Sequence, residues 1–198
     1  MAAVTCNISV SVDGFVAGPG QDLDNPIGRG GMRLHEWHFN PEGDDQAVVD
    51  EWQQTPGAYV MGRNMFGPGR GEWDLDWKGW WGDEPPYHAP VFVLTHHPRE
   101  QLTMDGGTTF HFVTDGIDSA LEQAKAAAGG KNVEIAGGAS TINAYLHGGA
   151  IEELHMHISP ILLGVGERLF DGVTPDLRLE PVRVSGSPAA THVKYRVG

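Results

Sequence analysis

Cysteine occurs once in the 198 residues, at position 6, which excludes an intramolecular disulfide and any zinc site built from several thiolates. Long apolar runs are missing too. The stretch 158–165 is broken by Pro160 and Gly164 and falls far short of a bilayer span. Basic side chains are scarce, 13 against 26 acidic ones, giving a formal charge of −13. Nucleic-acid binders need a cationic footprint, so this balance argues against DNA or RNA as a partner. It also sets a condition on any phosphate-bearing ligand: the few cations must gather locally to offset the general repulsion. No charged-then-apolar leader opens the chain, and with a single thiol the simplest expected home is the cytoplasm. What remains, 40% hydrophobic and 20% charged, is ordinary for a soluble chain that forms one domain over 1–198.

The most informative stretch is 132–146, a short apolar strand that breaks at Gly137-Gly138 and enters a helix. Paired glycines let a ligand approach the backbone without a Cβ in the way. Ser140 or Thr141 is placed to cap the helix, and its free N–H groups and positive dipole end favour a phosphate.

The rest of the chain reads as alternating strands and helices. Strands are expected over 5–12, 58–61, 90–95, 109–113 and 133–136, and helices over 44–54, 117–128 and 141–146. The last third is β-rich, with runs at 153–158, 161–163, 177–184 and 192–197. This order predicts an α/β fold with a mixed sheet, parallel at its centre and antiparallel at its edges. Two long segments fit no regular element. Residues 18–41 hold His35, Trp37 and His38, while residues 67–88 carry Trp73, Trp77, Trp80 and Trp81 of the six tryptophans. Such aromatic loops serve as a pocket wall, a satellite core or a subunit interface.

Ser11-Val12-Asp13-Gly14-Phe15-Val16-Ala17, then Val60-Met61-Gly62-Arg63, Val93-Leu94-Thr95-His96 and Ile135-Ala136-Gly137-Gly138 occur in one order along the chain. In that order they resemble dihydrofolate-reductase-like proteins. The segment from His157 to Phe170 is similar to the reductase domain of bifunctional riboflavin-biosynthesis enzymes and their stand-alone relatives. The resemblance covers nearly the whole chain. It implies a three-layer fold, a mixed central sheet with flanking helices, that binds NADPH across strand ends. Carried over by position, Gly62, Arg63 and Asn64 hold cofactor phosphates and Thr95 and His96 lie by the 2′-phosphate. Gly137, Gly138, Ala139, Ser140 and Thr141 clasp the pyrophosphate, and Val16 and Ala17 border the nicotinamide. The relatives are commonly homodimers, and the apolar stretch 158–163 suits a subunit contact.

The chain also departs from these relatives. One cysteine rules out the zinc deaminase domain that riboflavin-pathway enzymes often carry. Asp83-Glu84-Pro85-Pro86 only partly matches the family's Asp-Asp-Pro segment, and no basic cluster follows for a ribose phosphate. Trp37, Trp81 and Asp83 are the candidate substrate contacts. Asp45 stands near the place where folate reductases carry a carboxylate that assists protonation. His155 and His157 share a strand face, and His35 and His38 share a helical turn, but neither pair has a third ligand at metal spacing, so no metal is expected. The resulting expectation is an NADPH-dependent reductase of a small heteroaromatic or carbonyl compound, pterin- or pyrimidine-like. The alternative is a nucleotide- or ligand-binding protein that kept the fold without turnover.

Overall fold

The computed structural model describes residues 2–52, 54 and 56–198. Nine strands form one sheet in the order β10-β11-β8-β1-β7-β3-β4-β6-β5. Its centre comprises β1 (Val4–Ser11), β7 (Val133–Gly137), β3 (Ala58–Gly62), β4 (Pro90–Leu94), β6 (Thr109–Val113) and β8 (Glu153–Ser159), and neighbours among these run parallel. At one edge β11 (Thr191–Val197) and β10 (Leu179–Gly186) run antiparallel, and at the other so does β5 (Leu102–Thr103). A separate ribbon pairs β2 (Phe15–Ala17) with β9 (Glu167–Arg168).

Alternation of side chains along the strands divides the core between the two sheet faces. Val4, Cys6, Val10, Val60, Val133 and Ile135 pack against α4 (Ile117–Ala127) and α5 (Ala139–His147). Tyr59, Met61, Val91, Val93 and Phe110 point the other way and meet α3 (Arg63–Phe66) and the tryptophan segment. A third cluster of Trp37, Val48 and Ala190 joins α1 (Glu36–Phe39) and α2 (Asp44–Trp52) to the β10–β11 hairpin. Gln53, inside the helix expected over 44–54, lies outside the described residues.

The expected strand over 161–163 is a loop instead. The N–H groups of Leu163 and Gly164 donate to the Asp13 carboxylate at 3.2 and 2.7 Å, so a side chain takes the place of a strand partner. Strand β8 is interior, flanked by β1 and β11. The segment 158–163 is therefore not the exposed apolar strand that suggested a subunit contact. No helix is long and apolar enough to cross a membrane among the described residues.

Candidate functional site

Three parallel strands hand over to helices through a glycine: Gly62 before α3, Gly116 before α4 and Gly138 before α5. No side chain caps any of these helices. The first N–H groups of a helix lack partners inside it, so donors and positive dipole ends are left open at all three starts. They face one crevice of about 430 Å³, lined among others by Gly62, Arg63, Gly116, Ile117, Gly138 and Ala139. The cap expected from Ser140 or Thr141 is absent. Gly138 holds the capping position, and Ser140 and Thr141 line the crevice from the first turn.

Two glycines in this crevice have different reasons to be there. At Gly62, a Cβ would lie 2.5 Å from Oγ1 of Thr141, so glycine lets α3 and α5 start side by side. At Gly138, a Cβ would meet nothing within 4 Å, and the φ of −74° is open to any residue. The Gly137–Gly138 peptide bond is cis.

The cations gather here as well. The Arg63 guanidinium lies over Trp73, 3.8 Å from the ring centroid, and Nη2 donates to the Glu72 carbonyl at 3.4 Å. Its Nε is buried without a partner. Burial and the nearby Arg70 pull the Arg63 pKa down, yet a guanidinium stays charged in any protein. Arg70 lines the same crevice. Neither arginine pairs with a carboxylate among the described residues. Two unpaired guanidiniums at one crevice, in a chain of net charge −13, meet the condition for binding a multiply charged anion. Thr95 is buried and shapes the turn after β4, its Oγ1 accepting from the His97 N–H at 3.1 Å. His96 is exposed on the crevice wall, and His97 pairs with Glu72 at 3.2 Å.

Of the expected cofactor residues, all line this crevice except Val16, Ala17 and Gly137. Ala17 pairs with Glu167, which closes one end of it, while Val16 is buried in the main core. The sequence reading missed Thr114, Gly116 and Arg70. Val113-Thr114-Asp115-Gly116-Ile117 carries the same strand, glycine and helix order as the 132–146 stretch, so a signal existed for the first two. Arg70 sits in a glycine-rich loop and had none.

The expected substrate residues lie elsewhere, and none of Trp37, Asp45, Trp81 and Asp83 lines the crevice. Trp81 stacks on Phe110 with centroids 6.0 Å apart and an 18° tilt, and meets Tyr87 edge-on. Trp77 Nε1 donates to the Phe66 carbonyl at 3.0 Å, and Arg99 donates to the carbonyls of Leu75 and Trp77 at 3.0 and 2.8 Å. The tryptophan segment is thus a satellite core over β3, β4 and β6. Asp83 is exposed, and its carbonyl accepts from the Asp105 N–H at 3.0 Å. Trp37 is buried and donates from Nε1 to Ser9 Oγ at 3.1 Å.

Asp45 is wholly buried, and its carboxylate is committed inside the fold. It meets Ser187 Oγ at 2.8 Å, the Glu42 N–H at 3.3 Å and His192 Nε2 at 2.8 Å. His192 Nδ1 in turn faces His157 Nδ1 at 2.9 Å. No group of three or more His, Cys, Asp or Glu side chains is arranged to hold a metal ion among the described residues.

Comparison with known proteins fits this geometry. Residues 2–193 match the family model described as the RibD C-terminal domain. The chain is 32% identical over 191 residues to the uncharacterized protein YyaP of Bacillus subtilis (strain 168), covering 90% of this chain and 86% of that protein. The crystal structure of a putative riboflavin biosynthesis protein from Shewanella sp. PV-4 superposes with a TM-score of 0.67 at 25% identity, covering 99% of each chain. Dihydrofolate reductase from Enterococcus faecalis, complexed with NADP(H), shares the fold at a TM-score of 0.57 and 12% identity, over 99% of this chain and 96% of that one. The architecture is therefore dihydrofolate-reductase-like, and the chain belongs to the RibD C-terminal domain family.

Proposed function

We propose that the crevice binds NADPH and that the protein is a reductase of a small, flat electrophile of the pterin or pyrimidine kind. One observation carries this reading: two long helices and one short one begin uncapped at a single crevice that also holds two unpaired arginines. That donor set suits a ligand with several phosphates, and the family contains reductases. The N–H groups at Ala139 and Ser140 would hold the pyrophosphate, and Arg63 with the start of α3 would hold its other side. Arg70 and His96 would meet a 2′-phosphate, which favours NADPH over NADH. Once bound, NADPH supplies a hydride to an electrophilic carbon. The chain's own task is to fix the two rings relative to each other and keep water away.

Arg63→Ala tests the assignment. Removing charge-assisted, bidentate hydrogen bonding to a phosphate is expected to weaken NADPH binding by about 1.5–3 kcal/mol. Nicotinamide fluorescence titration reads this directly. An unchanged Kd in a folded variant removes Arg63 from the site. Saturable binding with no oxidation across pterins, pyrimidines and quinones would favour the non-catalytic binder instead.

We also propose that two copies associate, now through the turns that follow β1 and β8. Val12, Leu162 and Val165 are 63%, 67% and 59% exposed there, and the Val12 N–H donates to the Ile161 carbonyl at 3.0 Å, holding the turns together. Such a concentration of exposed apolar side chains is better covered than left in water. Light scattering at low micromolar concentration should give twice the 21.4 kDa chain mass, and a purely monomeric mass would rule this out.

A further inference from the structure

Apolar packing on the sheet face away from α4 and α5 is interrupted in the middle. The tryptophan cluster covers β3, β4 and β6, while Trp37 and Trp52 cover β8 and β11 through His157 and His192. Strands β1 and β7 run between these two clusters. They present Asn7 and Glu134 there, with Ala136 at the edge of the tryptophan cluster, and all three are reached by solvent, although these strands are fourth and fifth in a sheet of nine. On the opposite face of the same strands, Cys6, Val10, Val133 and Ile135 are sealed. Solvent that reaches Asn7 and Glu134 between the two clusters marks a cleft on this face. Ala136 leads directly into Gly137-Gly138, so cleft and crevice meet along one strand, about 10 Å from end to end at strand rise.

We infer that Glu134 is the acid that delivers a proton to the substrate bound in this cleft. Its Oε2 accepts from Asn7 Nδ2 at 2.8 Å, which orients the carboxyl and leaves the other oxygen for a ligand. Burial pushes its pKa up to about 7, against the opposing effect of the Asn7 hydrogen bond. The titratable groups facing it are Tyr59 on β3 and Tyr87 behind it, each pushed further into its neutral form, as is Cys6 on the opposite face of β1. No cation pairs with Glu134 among the described residues. A carboxyl poised near neutrality is suited to general acid catalysis.

The inference rests on the cofactor reading of the crevice and specifies the substrate class as a C=N compound. Reduction of C=N adds a hydride, supplied by a dihydronicotinamide, to carbon and a proton to nitrogen. The O–H bond of Glu134 breaks and an N–H bond forms with the electron pair released from the C=N π bond. The carboxylate then regains a proton from solvent. Glu134 is thus the catalytic acid that Asp45, locked in the fold, is not.

The test uses wild type, Glu134→Gln and Glu134→Asp, with 7,8-dihydrobiopterin as the C=N compound. Carboxyl ¹³C NMR of the cofactor-free protein should show one glutamate titrating near 7 that is absent from Glu134→Gln. Fluorescence titration should give the same NADPH affinity in all three proteins, within about twofold. The wild-type rate should fall tenfold per pH unit above the NMR midpoint. Glu134→Gln should lose about 100-fold or more, the range for a general acid, together with that pH dependence, and Glu134→Asp should recover part of both. A glutamine variant with the wild-type rate and profile overturns the inference. So does a carboxyl that titrates at the ordinary glutamate value, or a wild-type protein that binds NADPH and reduces no dihydropterin. Failure of wild type to bind NADPH instead overturns the cofactor reading, and the fluorescence titration tells the two failures apart.

Discussion

Gly138→Val is expected to weaken NADPH binding by at least about 100-fold, or about 2.7 kcal/mol, while the protein stays folded. The fold and the ligand make different demands at this position. A Cβ at 138 meets no protein atom within 4 Å, and the backbone φ of −74° suits any residue. The valine side chain would project from the start of α5 into the crevice, in front of the N–H groups assigned to the pyrophosphate. Displacing a phosphate from two or more charge-assisted hydrogen bonds, each contributing about 1.5–3 kcal/mol, accounts for the size of the effect. Fluorescence titration reads the affinity, and circular dichroism with a thermal melt reads the fold. Normal binding by a folded Gly138→Val protein would remove the helix start from the site. Gly62→Val is the instructive contrast, because the 2.5 Å approach to Thr141 makes its defect one of packing as well as binding.

The sheet was legible in the sequence where short apolar runs end at glycine. Ala58–Gly62, Thr109–Val113 and Val133–Gly137 fall within a residue of the runs that predicted them. The signal is strong because buried parallel strands admit little but apolar side chains on their inner face. The 161–163 run misled for a local reason: Asp13, 150 residues away from Leu163, supplies the acceptor that a neighbouring strand would have given. Half of the crevice was legible by the same grammar, and Gly116 would have added the start of α4 to it. The cleft was not. Asn7 and Glu134 are 127 positions apart and become neighbours only through the strand order, and an isolated Glu in an apolar strand carries no local cue to its pKa. The Asp45–His192 contact spans 147 positions and was equally invisible, so Asp45 stood out only through the resemblance to folate reductases.

That hidden contact makes the protein acid-sensitive through His157. His192 Nε2 lies 2.8 Å from the Asp45 carboxylate, and its Nδ1 faces the Nδ1 of His157 at 2.9 Å. The other ring nitrogen of His157, Nε2, is buried without a partner beside Trp37 and Trp52. A further proton on His157 would charge a group shut away from water, and burial with the nearby His192, His155, His35 and His38 holds its pKa well below the usual value. A histidine kept neutral in the folded state binds its proton more readily when unfolded. The stability it contributes is therefore fully present above about pH 6.5 and is lost as pH falls below that value. His35, lowered to about 4, acts in the same direction. Glu134, raised to about 7, acts in the opposite one, because the folded protein binds its proton more tightly and gains stability as pH falls toward 4.5. Total stability against pH would mix these effects, so the informative quantity is the difference between wild type and His157→Phe. Urea melts at pH 7 and pH 5 should show wild type losing about 2 kcal/mol more than the variant over that interval. A difference that stays constant with pH would show that His157 takes up its proton as easily in the folded chain as in the unfolded one.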